Sequence, residues 1–221
     1  ENGSSDGQIS VAQPKPQTLQ CMQVEDEIFG ELHMKQAQTL NEAQFRKVLH
    51  YCRTRRHANR DMTIFMVSFF AGLRAKEIAA LKLGDVFDVE GRVREQFTLE
   101  CDQTKGGQRR TVFINRRLAK ALEDYGLEKN LSNLDRPLFA SQKGGHFSAN
   151  TMCQLFLEIL KNCGFKDASS HSGRRTYITR LANKGVGVRL LAALAGHSHI
   201  STTQRYIDVN ADQMKEAVEL L

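Results

Sequence analysis

The sequence has little of what marks a membrane protein or a secreted one. No apolar run among its 221 residues approaches the length of a bilayer span, and no secretory signal segment occurs. Its five cysteines are an odd number without a C-x-x-C pair, which argues against a disulfide framework or a zinc knuckle and favours reduced, largely buried thiols. We therefore expect a soluble, cytoplasmic protein with no membrane partner.

The sequence also lacks the motifs of nucleotide-driven, metal-dependent and serine-hydrolase chemistry. It contains no G-x-x-x-x-G-K-S/T, no dinucleotide-binding G-x-G-x-x-G, no H-E-x-x-H and no G-x-S-x-G. His197 and His199 are two residues apart, which points their rings in different directions on a helix, and no third ligand lies at useful spacing. We therefore expect neither a metal ion nor a cofactor.

What the chain does have is an uneven surplus of positive charge. Lys and Arg number 31 against 25 Asp and Glu, a net charge of +6 that favours an anionic partner. Residues 1–34 hold one base and six acids, a charge of −5, so the other 30 bases and 19 acids leave +11 on residues 35–221. Because residues 1–34 are also polar and rich in Gly, Ser and Pro, we expect a largely disordered acidic leader or linker.

The rest of the chain is patterned mainly for helices. Capping boxes at Thr39-Leu-Asn-Glu42 and Ser201-Thr-Thr-Gln204 mark two helix starts, and residues 62–70 are apolar nearly all round, as in a buried helix. Within 86–114, apolar stretches flank a Gly-Gly turn, which predicts a small antiparallel sheet. The fold class is α+β, mainly α. Helices are predicted over 40–55, 62–70, from 71–74 onward, 116–129, 149–162, 170–184, 188–195, 200–208 and 212–221.

Strong bases stand at the helix starts. Arg74 lies two residues after Gly72, and Glu77, one turn later, can hold its guanidinium. His171-Ser-Gly-Arg174 places an imidazole and a guanidinium three residues apart, on one face if the segment is helical. Each pair has an ordinary explanation, a solvated ion pair or a helix cap.

Three further candidates are spread along the chain. Lys105 lies beside two glycines at the predicted hairpin tip, where a flexible side chain can reach a ligand. His197 follows Gly196 near a helix end, and Tyr206 lies nine residues later. Taken singly, these are typical of a surface lysine, a helix-boundary histidine and a half-buried packing tyrosine.

Together the segments resemble the catalytic domain of the tyrosine recombinases, the phage integrase family. The resemblance covers residues 35–221, and both the order of the segments and the close spacing of the last three agree. It is carried by Ala71-Gly-Leu-Arg74-Ala-Lys-Glu77, the lysine-tipped hairpin, His171-x-x-Arg174, Leu194-Ala-Gly-His197 and Ser201-Thr-Thr-Gln-Arg-Tyr206.

The resemblance implies an enzyme that cuts and rejoins double-stranded DNA at specific sites without ATP or metal. Arg74 and Arg174 clamp the phosphate, since fixed guanidinium forks suit a phosphoryl group that gains charge. His171 and His197 add hydrogen bonds, and His171 also helps accept the proton of the tyrosine. Tyr206 is the nucleophile that forms a 3′-phosphotyrosine bond.

The remaining roles follow from the same resemblance. Lys105 matches the hairpin lysine that protonates the leaving 5′ oxygen, with Arg109 and Arg110 as nearby competitors for that role. Glu77 supports Arg74. The second box departs from the family, which more often has an apolar residue before the arginine and a histidine after it. Because Gly173 weakens local helix propensity, the helix entry can differ here. His199 is expected to be a helix-start residue.

The resemblance also predicts the assembly. Residues 1–34 are too few and too acidic to form the family's usual N-terminal core-binding domain, so we expect that domain to be absent. Either the chain is a fragment, or it belongs to a shortened lineage, or the acidic leader has another role. The expected active form is a homotetramer on two DNA duplexes, associated with the nucleoid, with a monomer possible without DNA. The apolar stripe within residues 212–221 either packs in cis or docks on a neighbouring protomer. Type IB topoisomerase-like relaxation and a catalytically silent DNA-binding regulator are the alternative functions.

Overall fold

The architecture is helical, with one small sheet, and confirms the predicted fold class. The computed structural model describes residues 37–104, 107–142, 144–207, 214–215 and 218–219. Within these ranges it contains α1 (Glu42–Arg53), α2 (Ala58–Ala71), α3 (Ala75–Ala80), α4 (Leu83–Val86), β1 (Gln96–Leu99), β2 (Arg110–Phe113), α5 (Arg116–Gly126), α6 (Ala149–Asn162), α7 (Ser172–Ala182), α8 (Val188–Ala195) and α9 (Ile200–Gln204).

Most predicted helices are present, and the differences lie at their ends. The predictions over 149–162 and 188–195 coincide with α6 and α8, whereas α5 ends at Gly126 and α9 at Gln204, earlier than predicted. Between residue 37 and the first strand there are four helices rather than the predicted three, because the short α4 was not predicted. The leader 1–34 and most of the predicted helix 212–221 lie outside the described residues.

The start of α1 corrects the predicted capping box. Asn41, not Thr39, is the N-cap, and its Oδ1 accepts the backbone N–H of Gln44 at 2.9 Å while Gln44 Oε1 accepts the N–H of Asn41 at 2.9 Å. Glu42, predicted to close the box, instead forms an ion pair with Arg117 at 2.8 Å. The cap therefore lies two residues later than predicted, because Asn41 is an equally good cap.

The second predicted capping box is also wrong, although it falls on a true helix start. His199 is the N-cap of α9, as expected of a helix-start residue, and no side-chain capping bond forms there. Because α9 begins at Ile200, Ser201 lies inside the first turn rather than ahead of it.

The sheet is a single antiparallel pair. β1 and β2 pair in the register Gln96 with Phe113 and Leu99 with Arg110. Ten residues, 100–109, connect the strands, so the connection is longer than the predicted Gly-Gly turn. Along β1 the side chains alternate between exposed and buried, and Phe97 and Leu99 face the core.

Helix α2 forms the centre of the core, which confirms that residues apolar nearly all round belong to a buried helix. It contacts α1, α3, α5 and α7. Phe69 packs against Phe45 with ring centroids 4.4 Å apart, and Phe65 packs against Phe156 at 4.7 Å. These aromatic contacts join α2 to α1 and α6, so the residues that follow α2 are held by the whole core.

Gly173 lets α7 cross α2 at close range. A Cβ atom at Gly173 would lie 2.1 Å from Ser68 Oγ and 2.8 Å from Ser68 Cβ. Gly173 nevertheless lies inside α7, and the helix begins at Ser172 without a break. The low helix propensity of glycine is outweighed by the helix crossing that it permits.

In the part of the chain that the structure describes, no helix is both long and apolar enough to cross a membrane.

Replacing Gly173 with alanine tests the crossing. We expect Gly173→Ala to lower the free energy of unfolding by about 1–3 kcal/mol, because overpacking outweighs the gain in helix propensity. Urea denaturation measures the change. Gly145→Ala is the matched control, since nothing lies within 4 Å of a Cβ there, and it should be near neutral. Equal stability of the two variants would contradict the close crossing.

Candidate active site

The turn from α2 into α3 positions Arg74. Gly72 caps α2 with φ +65°, a left-handed conformation that favours glycine, and a Cβ atom there would lie 2.5 Å from the ring of Tyr177. Two residues later, Arg74 is the N-cap of α3. The turn therefore places the guanidinium of Arg74 at the surface end of the buried α2.

Glu77 is the carboxylate on which the site is built. It is fully buried, and its Oε1 accepts from Arg74 Nη1 at 2.9 Å while its Oε2 accepts the backbone N–H of Arg74 at 2.8 Å. Oε2 also accepts from Arg110 Nη2 at 2.6 Å. Glu77 thus supports Arg74, as the sequence predicted, and in addition holds a second arginine that arrives from β2.

The C-terminal end of α8 binds two guanidinium groups through its backbone. Leu194 O accepts from Arg110 Nη1 at 2.9 Å, and Ala195 O accepts from Arg174 Nη2. Arg174 also donates from Nη1 to Gly72 O at 2.8 Å. The last carbonyls of a helix lack intrahelical partners and carry partial negative charge, so they are natural acceptors for arginine. The three arginines are thereby gathered at one place.

Burial and charge set the protonation of this cluster. Burial alone would raise the pKa of Glu77, but the positive charge of Arg110 and the contacts with Arg74 hold it below its ordinary value. Burial, followed by the charges of Arg74 and Arg110, lowers the pKa of Arg174, although a guanidinium stays protonated at neutral pH. Three positive groups therefore share one negative partner.

His197 and Tyr206 stack beside the arginines. Their ring centroids are 5.9 Å apart and the ring planes differ by 18°. Burial, and then the charges of the neighbouring arginines Arg174, Arg74 and Arg110, lower the pKa of His197 to about 4. At neutral pH this imidazole is therefore uncharged, and it can act as a directional hydrogen-bonding group rather than as a further cation.

Tyr206 is half-buried and contacts α7. The guanidinium carbon of Arg175 lies 5.7 Å from the centroid of the Tyr206 ring, and Thr179 Oγ1 donates to the backbone carbonyl of Tyr206 at 3.4 Å. Arg175 occupies the position where the family more often has a histidine. Its contact with the ring adds a cation to the aromatic stack.

The sequence also predicts His171 and Lys105 as site residues. His171 is the N-cap of α7, three residues before Arg174, and its side chain is exposed whereas that of Arg174 is buried. Lys105 lies outside the described residues. Thr104, directly before it, is buried, and its carbonyl accepts from Lys76 Nζ at 3.4 Å. The roles of His171 and Lys105 stay predictions.

The sequence pointed to Arg110 only as a competitor of Lys105, and its contact with Glu77 was missed. The alternation of β2 was the available signal: Val112 faces the core, so Arg110, two residues earlier, shares that inward face. Its side chain is only 7% exposed. Arg109, the other competitor, is exposed and pairs with Glu100 at 2.6 Å.

Arg110 also explains Gly196. Gly196 caps α8 with φ +62°, and a Cβ atom there would lie 2.4 Å from Arg110 Cδ. The glycine therefore lets the chain turn toward His197 while Arg110 passes directly beside it.

Over the described ranges, no group of three or more His, Cys, Asp or Glu side chains could hold a metal ion.

Known proteins with similar sequence and structure were compared with this chain. It is 27% identical over 161 residues to the tyrosine recombinase XerC of Pelobacter propionicus, which covers 72% of this chain and 51% of that protein. It is 29% identical over 162 residues to the tyrosine recombinase XerA of Pyrococcus furiosus, covering 72% and 54%. The chain thus spans about half the length of these curated relatives.

The fold is also found among solved structures. The integrase of transposon Tn1549, in complex with a circular-intermediate DNA, matches with a TM-score of 0.70 and 21% identity, over 86% of this chain and 67% of that chain. Residues 38–213 match the phage integrase family. The match includes every described residue of the cluster, and the chain therefore belongs to the phage integrase family.

Proposed function

We propose that this chain cleaves and rejoins DNA strands as a site-specific recombinase, through a covalent 3′-phosphotyrosyl intermediate on Tyr206. The observation that carries the proposal is the gathering of Arg74, Arg110 and Arg174 around Glu77, beside the stacked pair of His197 and Tyr206. The names of the relatives, tyrosine recombinases, and the DNA in the Tn1549 integrase structure agree with it.

The charge of the cluster suits a phosphodiester under attack. Three guanidinium groups and one carboxylate leave +2, since His197 is neutral. A phosphodiester carries one negative charge, and the five-coordinate transition state carries two on its nonbridging oxygens. The site is therefore more complementary to the transition state than to the substrate, which is the condition for acceleration.

Arg74 and Arg174 are the proposed phosphate ligands. A guanidinium has five N–H donors. The hydrogen bonds to Gly72 O and Ala195 O occupy two of those on Arg174, and the bond to Glu77 occupies one on Arg74. The remaining donors are held in fixed directions by these bonds. Arg110 is bonded through Nη2 to Glu77 and through Nη1 to Leu194 O, so it is assigned to holding Glu77 and α8 together.

The reaction then balances as two phosphoryl transfers. Tyr206 Oη forms a bond to phosphorus and loses its proton, with His171 proposed to help accept it, while the bond to the 5′ oxygen breaks. Lys105 is proposed to protonate that leaving oxygen. Attack by the 5′-hydroxyl of another strand reverses the step and releases Tyr206. The phosphodiester energy is kept in the phosphotyrosyl bond, so no ATP is consumed.

The proposed assembly is a homotetramer on two DNA duplexes. Met214 and Val218, from the apolar stripe near the C-terminus, are 55% and 66% exposed. Exposed apolar side chains at helical spacing favour docking on a second copy over packing in cis. Two duplexes held in one assembly give each 5′-hydroxyl a new partner strand.

A covalent adduct tests the chemistry. The protein is incubated with nicked or bulged DNA carrying the target site, taken from DNA that flanks the gene, and analysed by denaturing electrophoresis. We expect a protein–DNA adduct from the wild type and none from Tyr206→Phe, because this substitution removes the nucleophilic hydroxyl and leaves the ring in place. Tyr125→Phe is the control, since Tyr125 is buried and donates to Leu138 O at 3.0 Å, away from the cluster.

Two results would overturn the assignment: no adduct from wild-type protein that binds the DNA, or an adduct that survives Tyr206→Phe. Relaxation of supercoiled DNA without exchange between two duplexes would instead favour a topoisomerase-like activity.

Glu77→Gln tests the arginine cluster. We expect the free energy of unfolding at neutral pH to fall by about 3 kcal/mol, because two guanidinium groups lose a buried partner. The folded-state pKa of Glu77 lies below its ordinary value of 4.5, so this contribution is present above pH 4.5 and is lost as the pH falls through the folded-state pKa. The difference between variant and wild type should therefore shrink in acid. Urea denaturation at several pH values measures it.

The control for Glu77→Gln is Asp124→Asn, which removes an exposed i, i+4 pair with Lys120. That variant should show no measurable change. If both variants behave alike, or if the loss caused by Glu77→Gln grows in acid, the carboxylate does not hold the cluster as described.

A further inference from the structure

Thr203 joins the two functional groups at the end of α9. Its side chain is fully buried, and its Oγ1 lies 2.8 Å from His197 Nδ1. Its backbone carbonyl accepts the N–H of Tyr206 at 3.0 Å. One residue therefore contacts the histidine through its side chain and the tyrosine through its backbone.

The hydroxyl of Thr203 decides which ring nitrogen of His197 carries the proton. A neutral imidazole has one N–H and one bare nitrogen. If the hydroxyl donates to Nδ1, every group in the pair is satisfied and the proton of the ring lies on Nε2. If the hydroxyl accepts from Nδ1, its own proton is left in a buried site where, among the described residues, Oγ1 has no other hydrogen-bond partner.

Only the first arrangement can bind a phosphate. Phosphate oxygens accept hydrogen bonds and do not donate them, so a bare Nε2 would face them lone pair to lone pair. Because Nδ1 is occupied by Thr203, Nε2 is the nitrogen left for a ligand. Burial, and then the charges of the arginines beside the ring, keep the imidazole neutral, so its tautomer, rather than its charge, determines what it can donate.

We propose that Thr203 is a positioning residue that holds His197 in the tautomer with its proton on Nε2, directed at the phosphate bound by Arg74 and Arg174. The proposal deepens the proposed function and rests on it for the identity of the ligand. Through the turn to Tyr206, the same residue fixes the histidine and the nucleophile relative to each other.

A merely space-filling role for Thr203 makes different predictions. Valine has nearly the shape of threonine but no hydroxyl, whereas serine keeps the hydroxyl and loses a methyl group. Thr202 is the matched control, because it is the adjacent threonine on α9 and the hydrogen bond to His197 Nδ1 is made by Thr203. A positioning role predicts that serine, not valine, preserves function.

The first experiment measures the rate of adduct formation at saturating DNA, together with DNA affinity. We expect Thr203→Val to slow the adduct about tenfold, the loss of one hydrogen bond that orients a catalytic group. Thr203→Ser and Thr202→Val should stay near the wild-type rate, and DNA affinity should change little in all three. A wild-type rate for Thr203→Val, or an equal loss for Thr203→Ser, would overturn the proposal while leaving the proposed function intact.

The second experiment needs no activity and no variant of Thr203. In DNA-free protein with ¹⁵N-labelled histidine, NMR at neutral pH reports which nitrogen of each ring is protonated, and His197→Gln assigns the signal. We expect His197 to carry its proton on Nε2, with Nδ1 bare. The charged and titratable groups near the ring are Arg174, Arg74, Arg110 and Glu77, with Tyr206 stacked on it. A proton on Nδ1 would overturn the proposal.

The two experiments separate the two claims. If the wild type forms no adduct while NMR finds the Nε2 proton, the proposed chemistry fails and the tautomer inferred for His197 stands. If the adduct forms and the proton is on Nδ1, the chemistry stands and the positioning fails.

Discussion

The site depends on one buried carboxylate, that of Glu77, which is surrounded by more guanidinium groups than it can neutralise. Glu77 accepts from Arg74 and Arg110, and Arg174 lies close enough for all three charges to influence one another. Buried guanidinium donors need acceptors, and one carboxylate cannot satisfy three arginines. The carbonyls of Leu194 and Ala195 supply further acceptors, although Arg110 Nε is buried without a hydrogen-bond partner among the described residues. They provide acceptors without a full negative charge, so the cluster keeps a positive excess that suits an anion.

This arrangement also explains why the site forms where four separate chain segments meet. Arg74 follows α2, Arg110 lies on β2, Arg174 lies in α7, and the acceptors belong to α8. The core around α2 holds the first of these segments, and the close crossing at Gly173 holds the third against it. A small shift of any segment would leave a buried donor or acceptor without a partner. The packing of the core therefore also fixes the geometry of the site. Rigid helices and strands hold such a geometry more precisely than loops.

The sequence predicted the helices and the contacts between residues close together in the chain. It missed most contacts between residues that are far apart in the chain. Helical periodicity identified the fold class and nearly every helix, and the i, i+3 spacing of Arg74 and Glu77 predicted their contact. Arg110 reaches Glu77 across 33 residues, a pairing that no local pattern specifies. The capping boxes failed for a different reason: several polar residues near each helix start can serve as the cap, and ion pairs such as that of Glu42 decide among them. Motif order located the candidate residues, and tertiary packing determined which of them meet.

The neutral histidine follows from its burial and from the same excess of charge. A protonated His197 would add a fourth cation to a buried cluster with one carboxylate, and its low pKa reflects that cost. The guanidinium groups supply both charge and directed donors, whereas the uncharged N–H of His197 contributes direction alone, because it binds only along its own axis. Because the imidazole ring is stacked on Tyr206 and bonded to Thr203, that axis is fixed relative to the nucleophile before any ligand binds. The arginine cluster therefore does more than bind an anion: together with burial it keeps the imidazole neutral, and this makes the tautomer of His197, and so Thr203, important.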